Sequence, residues 1–259
     1  MALGLVSCRQ EKVEYFSMVS VQENTAEVLW NPEKYDFEVG NKSYMDRLGK
    51  ISKEAAISGG ACTSWRNGKF HGRNLDWYQA DYGCIIVKMP KGGNVKHASV
   101  ALLNSSPTVT HQFIKDGIID GENISILPCG VVDGINDAGV VVNINIVPHQ
   151  PGTEYVTEGD LSSQCVVRYV LDNAGSVDEA IELLEGKKII QNIVAMAGDE
   201  THYMISDKEK TAVVEFDCGK MAVTYFDKIE KGYYSKNGNP AIMTNLYNHA
   251  DLSEMALYP

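Results

Sequence analysis

No apolar run in this chain approaches the roughly 20 residues needed to cross a bilayer, so no membrane-spanning helix is expected. The six histidines show neither HExxH nor any paired spacing, which removes the usual signature of a metal centre; no metal or other cofactor is expected. The six cysteines include no CxxC and so define no disulfide framework, although an extracytoplasmic location would permit bridges. Basic residues are the minority. Lys and Arg number 23 against 34 Asp and Glu, for a net charge of -11, and they form no stripe, so no nucleic-acid partner is expected. This acidic balance aids solubility and opposes anionic substrates unless local arginines focus them. Internal repeats and low-complexity tracts are also absent.

What is present suffices for one core: 259 residues at 44% apolar content, with no pattern that requires two domains. A polar opening leads into a strand-like run from Val19 to Val28, then a helical stretch near Tyr44 to Ala56 with Lys50, Lys53 and Glu54 on its outer face. Alternation predicts strands over Phe70–Leu75, Gly83–Met89, Ala98–Leu103, Gly130–Asp133 and Val140–Ile146. Leu161, Cys165, Val166, Tyr169 and Val170 form a helix stripe over Leu161–Leu171. Ser176 to Glu179 is a capping box opening a second helix through Leu184, ended by Gly186. Strands resume at Ile193–Ala197, His202–Ser206, Ala212–Phe216 and Met221–Phe226. Strands, two consecutive helices and strands again predict an α+β fold, a four-layer αββα sandwich rather than a doubly wound sheet.

The chemistry concentrates in Ala61-Cys62-Thr63-Ser64 and His71-Gly72-Arg73-Asn74-Leu75-Asp76-Trp77, where a thiol, a guanidinium and a carboxylate fall within fifteen residues. Small residues Gly59-Gly60-Ala61 precede Cys62, and Asn67-Gly68 turns one run back on the next as a β-hairpin. This pattern resembles the N-terminal-nucleophile hydrolases of the choloylglycine hydrolase group, the linear amide carbon-nitrogen hydrolases, and is similar to acid ceramidase and N-acylethanolamine acid amidase. Gly72, Arg73, Asn74, Leu75 and Asp76 match the family's Gly-Arg-Asn-hydrophobic-Asp element residue for residue. Asp133-Gly134-Ile135-Asn136-Asp137-Ala138-Gly139 is similar to its Asp-Gly-Met-Asn turn. His202 to Asp207, Val213-Val214-Glu215 and Met243-Thr244-Asn245 resemble its later strands and Thr-Asn site.

The resemblance implies a cut between Ala61 and Cys62, after which Cys62 supplies both nucleophile and base, since a free α-amino group titrates at about 7.7 to 8. Arg73 would stabilise the thiolate and Asp76 would hold the α-ammonium. Asn245 and a residue of the Val140–Val147 strand would stabilise the oxyanion. Ungapped counting puts that residue at Ile146, through its backbone N–H, and a one-residue deletion puts it at Asn145, which shares a face with Asn143; Asn145 is the choice. The implied reaction is cleavage of a small-molecule N-acyl amide through a thioester. Candidate substrates are conjugated bile acids, N-acylethanolamines, ceramide-like lipids, N-acyl amino acids and penicillin V. An acyltransferase using the same thioester, and a non-catalytic lipoprotein binding an acyl ligand, are the alternatives.

The organisation implied is a partial signal peptide over 1–8, a propeptide over 9–61, and a catalytic domain over 62–259. The bland alternative for 9–61 is an ordinary N-terminal subdomain. Leu5-Val6-Ser7-Cys8 resembles a bacterial lipobox without a preceding basic region, giving the expectation of a lipid on Cys8 and an extracytoplasmic location. Family members place a further arginine beyond the Thr-Asn element; Asp251 to Pro259 has none, giving the expectation of a C-terminally truncated domain. The resemblance also implies a homo-oligomer.

Overall fold

A computed structural model describes residues 15–22, 25–48, 60–77, 83–105, 124–148, 156, 158–190, 199–217, 220–230 and 232–245. The strands are β1 (Phe16–Gln22), β2 (Thr25–Trp30), β3 (Gly60–Asn67), β4 (Phe70–Trp77), β5 (Gly83–Met89), β6 (Ser99–Ser105), β7 (Asp133–Asn136), β8 (Val141–Pro148), β9 (Leu161–Ser162), β10 (Ile189–Ile190), β11 (Asp199–Ser206), β12 (Lys210–Asp217), β13 (Lys220–Ile229), β14 (Gly232–Tyr234) and β15 (Ile242–Met243). The helices are α1 (Phe37–Leu48), α2 (Val166–Asn173) and α3 (Val177–Leu184).

One hydrogen-bonded ladder runs β1-β2-β5-β6-β7-β8-β11-β12-β13-β14-β3-β15, with β4 on the other edge of β3. Its two sides differ in chemistry. Val28, Val87, Ala101, Gly134, Val142, Ile205 and Ala212 are successive cross-strand neighbours and so share one face. The valines, alanines and isoleucine of this row are buried in the main core with residues of α2 and α3; each such large aliphatic side chain contributes about 1.5 to 3 kcal/mol. The opposite face buries a smaller cluster of Met204, Val213, Phe226, Tyr233, Ala241 and Met243. That cluster joins β11–β13 to β14, β15 and the chain beside them, so the ladder folds back upon itself. The described residues form a helix layer and two sheet layers. Among the described residues no helix covers the outer face of the β3–β4 hairpin, where Trp65 and Phe70 are exposed.

The Asp133-Gly134-Ile135-Asn136 segment is fixed by packing against α2. A Cβ on Gly134 would lie 2.7 Å from Leu171 Cδ1 and 2.8 Å from the Ala101 Cβ, so helix and sheet meet only over glycine. Asn136 donates to the carbonyls of Leu171 (3.1 Å) and Ala174 (2.7 Å) and accepts from the N–H groups of Ala138 and Val140, locking the turn to the helix end. At α3, Ser176 accepts from Glu179 N–H and Gly175 N–H donates to Glu179, with Gly186 at φ 75° beyond the end.

Several boundaries differ from expectation. The Val19–Val28 run breaks into the antiparallel pair β1 and β2. The hairpin turn falls at Gly68-Lys69, because Asn67 pairs with Phe70 and Gly68 takes the positive φ of 55°. The first helix spans Phe37–Leu48; residues 49–56 lie outside the described residues, as does the expected strand 193–197. Gly130 closes a 3-10 segment begun at Ile124, and only Asp133 enters β7. Leu161-Ser162 form a parallel bridge to Ile189-Ile190 instead of helix. Asn41 of α1 accounts for this: it donates to the Asp160 carbonyl and accepts from Ser162 N–H, acting as a substitute strand edge.

The expected propeptide contributes to this architecture. β2 lies between β1 and β5, and Ala26, Val28 and Trp30 are buried in the main core, on the helix side of the sheet. Cys8 lies outside the described residues, as does the segment Asp251 to Pro259. No described helix is long and apolar enough to cross a membrane.

Candidate active site

Strand alternation puts Cys62, Ser64 and Arg66 of β3 on the inner face of the hairpin, with their partners Leu75, Arg73 and His71 of β4. The hairpin can present this face because its outer surface is already arranged: Trp65 lies flat across Gly72, where a Cβ would sit 2.3 Å from the indole. Cys62 is 3% exposed and not disulfide-bonded. It is a diagonal neighbour of Arg73, a relation that separates Cβ atoms by roughly 7 Å.

Asn245 meets Cys62 from the end of β15. The Cys62 backbone N–H donates to Asn245 Oδ1 at 2.5 Å, and Asn245 Nδ2 donates to the Ile146 carbonyl at 2.6 Å. These two neighbours fix the amide orientation, since an N–H requires the oxygen and a carbonyl requires the nitrogen. One Nδ2 hydrogen is thereby directed at Ile146 O. Ile146 thus enters the site through its carbonyl.

Arg73 is tied down by two bonds, Nη1 to Asp133 Oδ2 at 2.9 Å and Nη2 to the Ile144 carbonyl at 2.9 Å. Burial holds the Asp133 carboxyl above its ordinary range in spite of the arginine, which pulls the other way. Arg73 Nε is buried without a hydrogen-bond partner. The Asp76 backbone pairs with Ala61, one register step from the Cys62–Leu75 pair; its side chain lies outside the described residues.

Beneath the hairpin runs a buried polar seam. Ser64 Oγ shares its proton between Asn143 Oδ1 (2.8 Å) and Asn145 Oδ1 (3.3 Å). Asn143 Nδ2 donates to His71 Nε2 at 2.5 Å, so the ring proton sits on Nδ1 and is donated to Ser206 Oγ at 2.9 Å. Burial, with Arg66 adding to it, pushes the His71 pKa down to about 4, consistent with a neutral ring. Asn145, 1% exposed, donates to the Met243 carbonyl at 3.4 Å. Next to it, His202 bridges Glu215 of β12 and the carbonyl of Thr244.

Of the five residues expected from sequence, Cys62 and Asn245 bond directly; Asn145 lies one layer below, linked through Ser64 and Met243; Arg73 is a diagonal neighbour of Cys62; and only the backbone of Asp76 is described. Ser64, His71 and Asp133 lie inside the quoted motifs and Asn143 shares a face with Asn145, but the motifs assign none of the four a role in the site. The shared face of Asn143 and Asn145 was the available signal for the seam, whereas Arg73 and Asp133 are sixty residues apart with no spacing rule to join them. Among the described residues no group of three or more His, Cys, Asp or Glu is arranged to hold a metal. Cys129 and Cys165 are buried as expected of small hydrophobes, and burial raises the Cys165 thiol far above its ordinary range. Cys84 is half-buried beside Asn104, and Cys218 lies outside the described residues.

The family described as linear amide C-N hydrolases, choloylglycine hydrolase family, matches residues 61–255, beginning one residue before Cys62. No curated protein sequence matches the chain. Among solved structures, penicillin V acylase from Agrobacterium tumefaciens is similar at 19% identity and TM-score 0.34, covering 64% of this chain and 41% of that one. A variant of conjugated bile acid hydrolase from Clostridium perfringens is similar at 19% identity and TM-score 0.39, covering 65% and 51%. The chain thus spans about half the length of these structures or less.

Proposed function

Because the chain belongs to the choloylglycine hydrolase family of linear amide C–N hydrolases, we propose that it cleaves N-acyl amides with Cys62 as an N-terminal nucleophile, freed by a cut after Ala61. The observation that carries this reading is the 2.5 Å bond from the Cys62 nitrogen to Asn245 Oδ1. An acceptor at that position suits an α-amino group as well as a peptide N–H. It would hold the amine with its lone pair available to take the thiol proton; an unperturbed α-amino group titrates at about 8.

The thiolate then attacks the amide carbon, and the second Nδ2 hydrogen of Asn245 would donate to the oxyanion. Collapse breaks the C–N bond; the α-ammonium returns its proton to the leaving amine, and a thioester remains on Cys62. Water, deprotonated by the same amine, releases the acid. Arg73, neutralised in part by Asp133, contributes a fixed positive dipole beside the thiolate rather than a free charge. Asp76 would hold the α-ammonium. Penicillin V and conjugated bile acids, named for the two similar structures, are the first substrates to try, with N-acylethanolamines and ceramide-like lipids next.

Intact mass and N-terminal sequencing of the full chain test the reading. A mature chain beginning at Cys62, absent from Cys62→Ala, together with turnover of one of these amides, is expected. A chain that keeps Ala61 attached and turns over no amide overturns it.

A further inference from the structure

A buried acid and imidazole lie directly behind Asn245, and the reaction above uses neither. His202 of β11 and Glu215 of β12 are cross-strand partners and both are wholly buried. His202 Nδ1 lies 3.1 Å from Glu215 Oε1, and His202 Nε2 lies 2.7 Å from the Thr244 carbonyl oxygen. A carbonyl only accepts, so Nε2 must carry a proton. Nδ1 and Glu215 then share the remaining proton between them, and the bond survives whichever atom holds it. Replacing such a pair by apolar side chains is often neutral or stabilising. Met204, Val213 and Met243 already form an apolar cluster on this side of the sheet. A polar pair at this depth therefore points to a positional task.

The task is visible in the chain it touches. β15 is two residues long and pairs with β3 only through Ile242–Trp65 and Met243–Ser64. Among the described residues the β15–β3 pairing stops at Met243, and Asn245 still reaches the Cys62 nitrogen. Three side-chain bonds take over: Asn145 Nδ2 to Met243 O, His202 Nε2 to Thr244 O, and Asn245 Nδ2 to Ile146 O. The middle one is anchored by a group that is itself held from behind, because Glu215 stops the imidazole from rotating.

We infer that His202 and Glu215 are positioning residues, which clip the Thr244 carbonyl so that Asn245 presents its oxygen to the Cys62 nitrogen. The catalytic consequence rests on the proposed role of Cys62; the clip itself does not.

The test uses the full chain with His202→Leu, His202→Gln and Glu215→Leu. Amide hydrogen exchange is read on peptides covering Cys62 and Thr244–Asn245, beside steady-state turnover of whichever amide the unaltered protein accepts. In His202→Leu, exchange should rise at both peptides, kcat should fall on the order of 10- to 100-fold, and KM should stay near its original value. His202→Gln, whose amide can donate to the same carbonyl, should restore protection and most of kcat. If the leucine variant fails to fold, Glu215→Leu repeats the measurement with the ring present but unheld. Unchanged exchange at both peptides in a folded variant, or a glutamine variant as impaired as the leucine one, overturns the inference. The expected exchange pattern in a protein that turns over no amide supports the clip and rejects the amide reading.

Discussion

His71 sits neutral in a seam that has already assigned both of its ring nitrogens, so an added proton would have to displace the Asn143 donor. The unfolded chain binds that proton near 6.5, the folded protein only near 4. Stability should therefore fall as pH drops from about 6.5 to about 4, by up to about 3 kcal/mol, and change little from this source below 4. Urea unfolding at pH 7, 5.5 and 4 measures the slope, and His71→Gln should flatten it. Ser64 is the complementary case: Ser64→Ala leaves two buried acceptors, on Asn143 and Asn145, without their donor. A loss of about 1 to 3 kcal/mol is expected in the same experiment. Sequence could name Cys62 and Asn245 because each lies in a local pattern. It could not name the Arg73–Asp133 ion pair or the Ser64–Asn143 bond, which exist only because the ladder folds back.

The elements differ in how much of their shape is local. The hairpin was legible from Asn67-Gly68, since a glycine with positive φ is what a two-residue turn needs, although it turns one residue later than read. β1 and β2 were not, because the Val19–Val28 run carries the polar Glu23-Asn24 pair inside an otherwise strand-like stretch. Leu161 kept the helical period and still became strand, because Asn41, 120 residues earlier, supplies the competing hydrogen bonds. Glycines separate the same way. Gly134→Ala drives a methyl between Leu171 and Ala101 in the core and should cost about 1 to 3 kcal/mol. Gly72→Ala meets only the half-exposed Trp65 ring, which can swing outward, and should lower the melting temperature less. Thermal unfolding of the two variants side by side checks the order.

At the scale of the whole molecule, the α+β class and the sheet-dominated plan followed from the strand, helix, strand succession, and the helix layer was located correctly between the two sets of strands in sequence. The packing of residues 15–48 did not follow from it. They supply an interior strand and a helix to the main core, a packing that no local pattern in 15–48 specifies. A cut after Ala61 should therefore leave the N-terminal fragment bound. Size exclusion under native conditions should give one peak that resolves into two chains in denaturant. Separate native peaks would contradict the embedding of β2.

The register of the hairpin bears on the cut itself. Ala61 pairs with Asp76 and Cys62 with Leu75, so the bond between Ala61 and Cys62 lies inside a strand whose partner is continuous across it. Breaking it is like nicking one strand of a duplex: β4 still templates both ends, and neither is released by the cut. The nucleophile would be born capped by its own former neighbour. Peeling Gly60 and Ala61 away from Trp77 and Asp76, a zipper event rather than a chemical one, would then set how soon a new amide can enter.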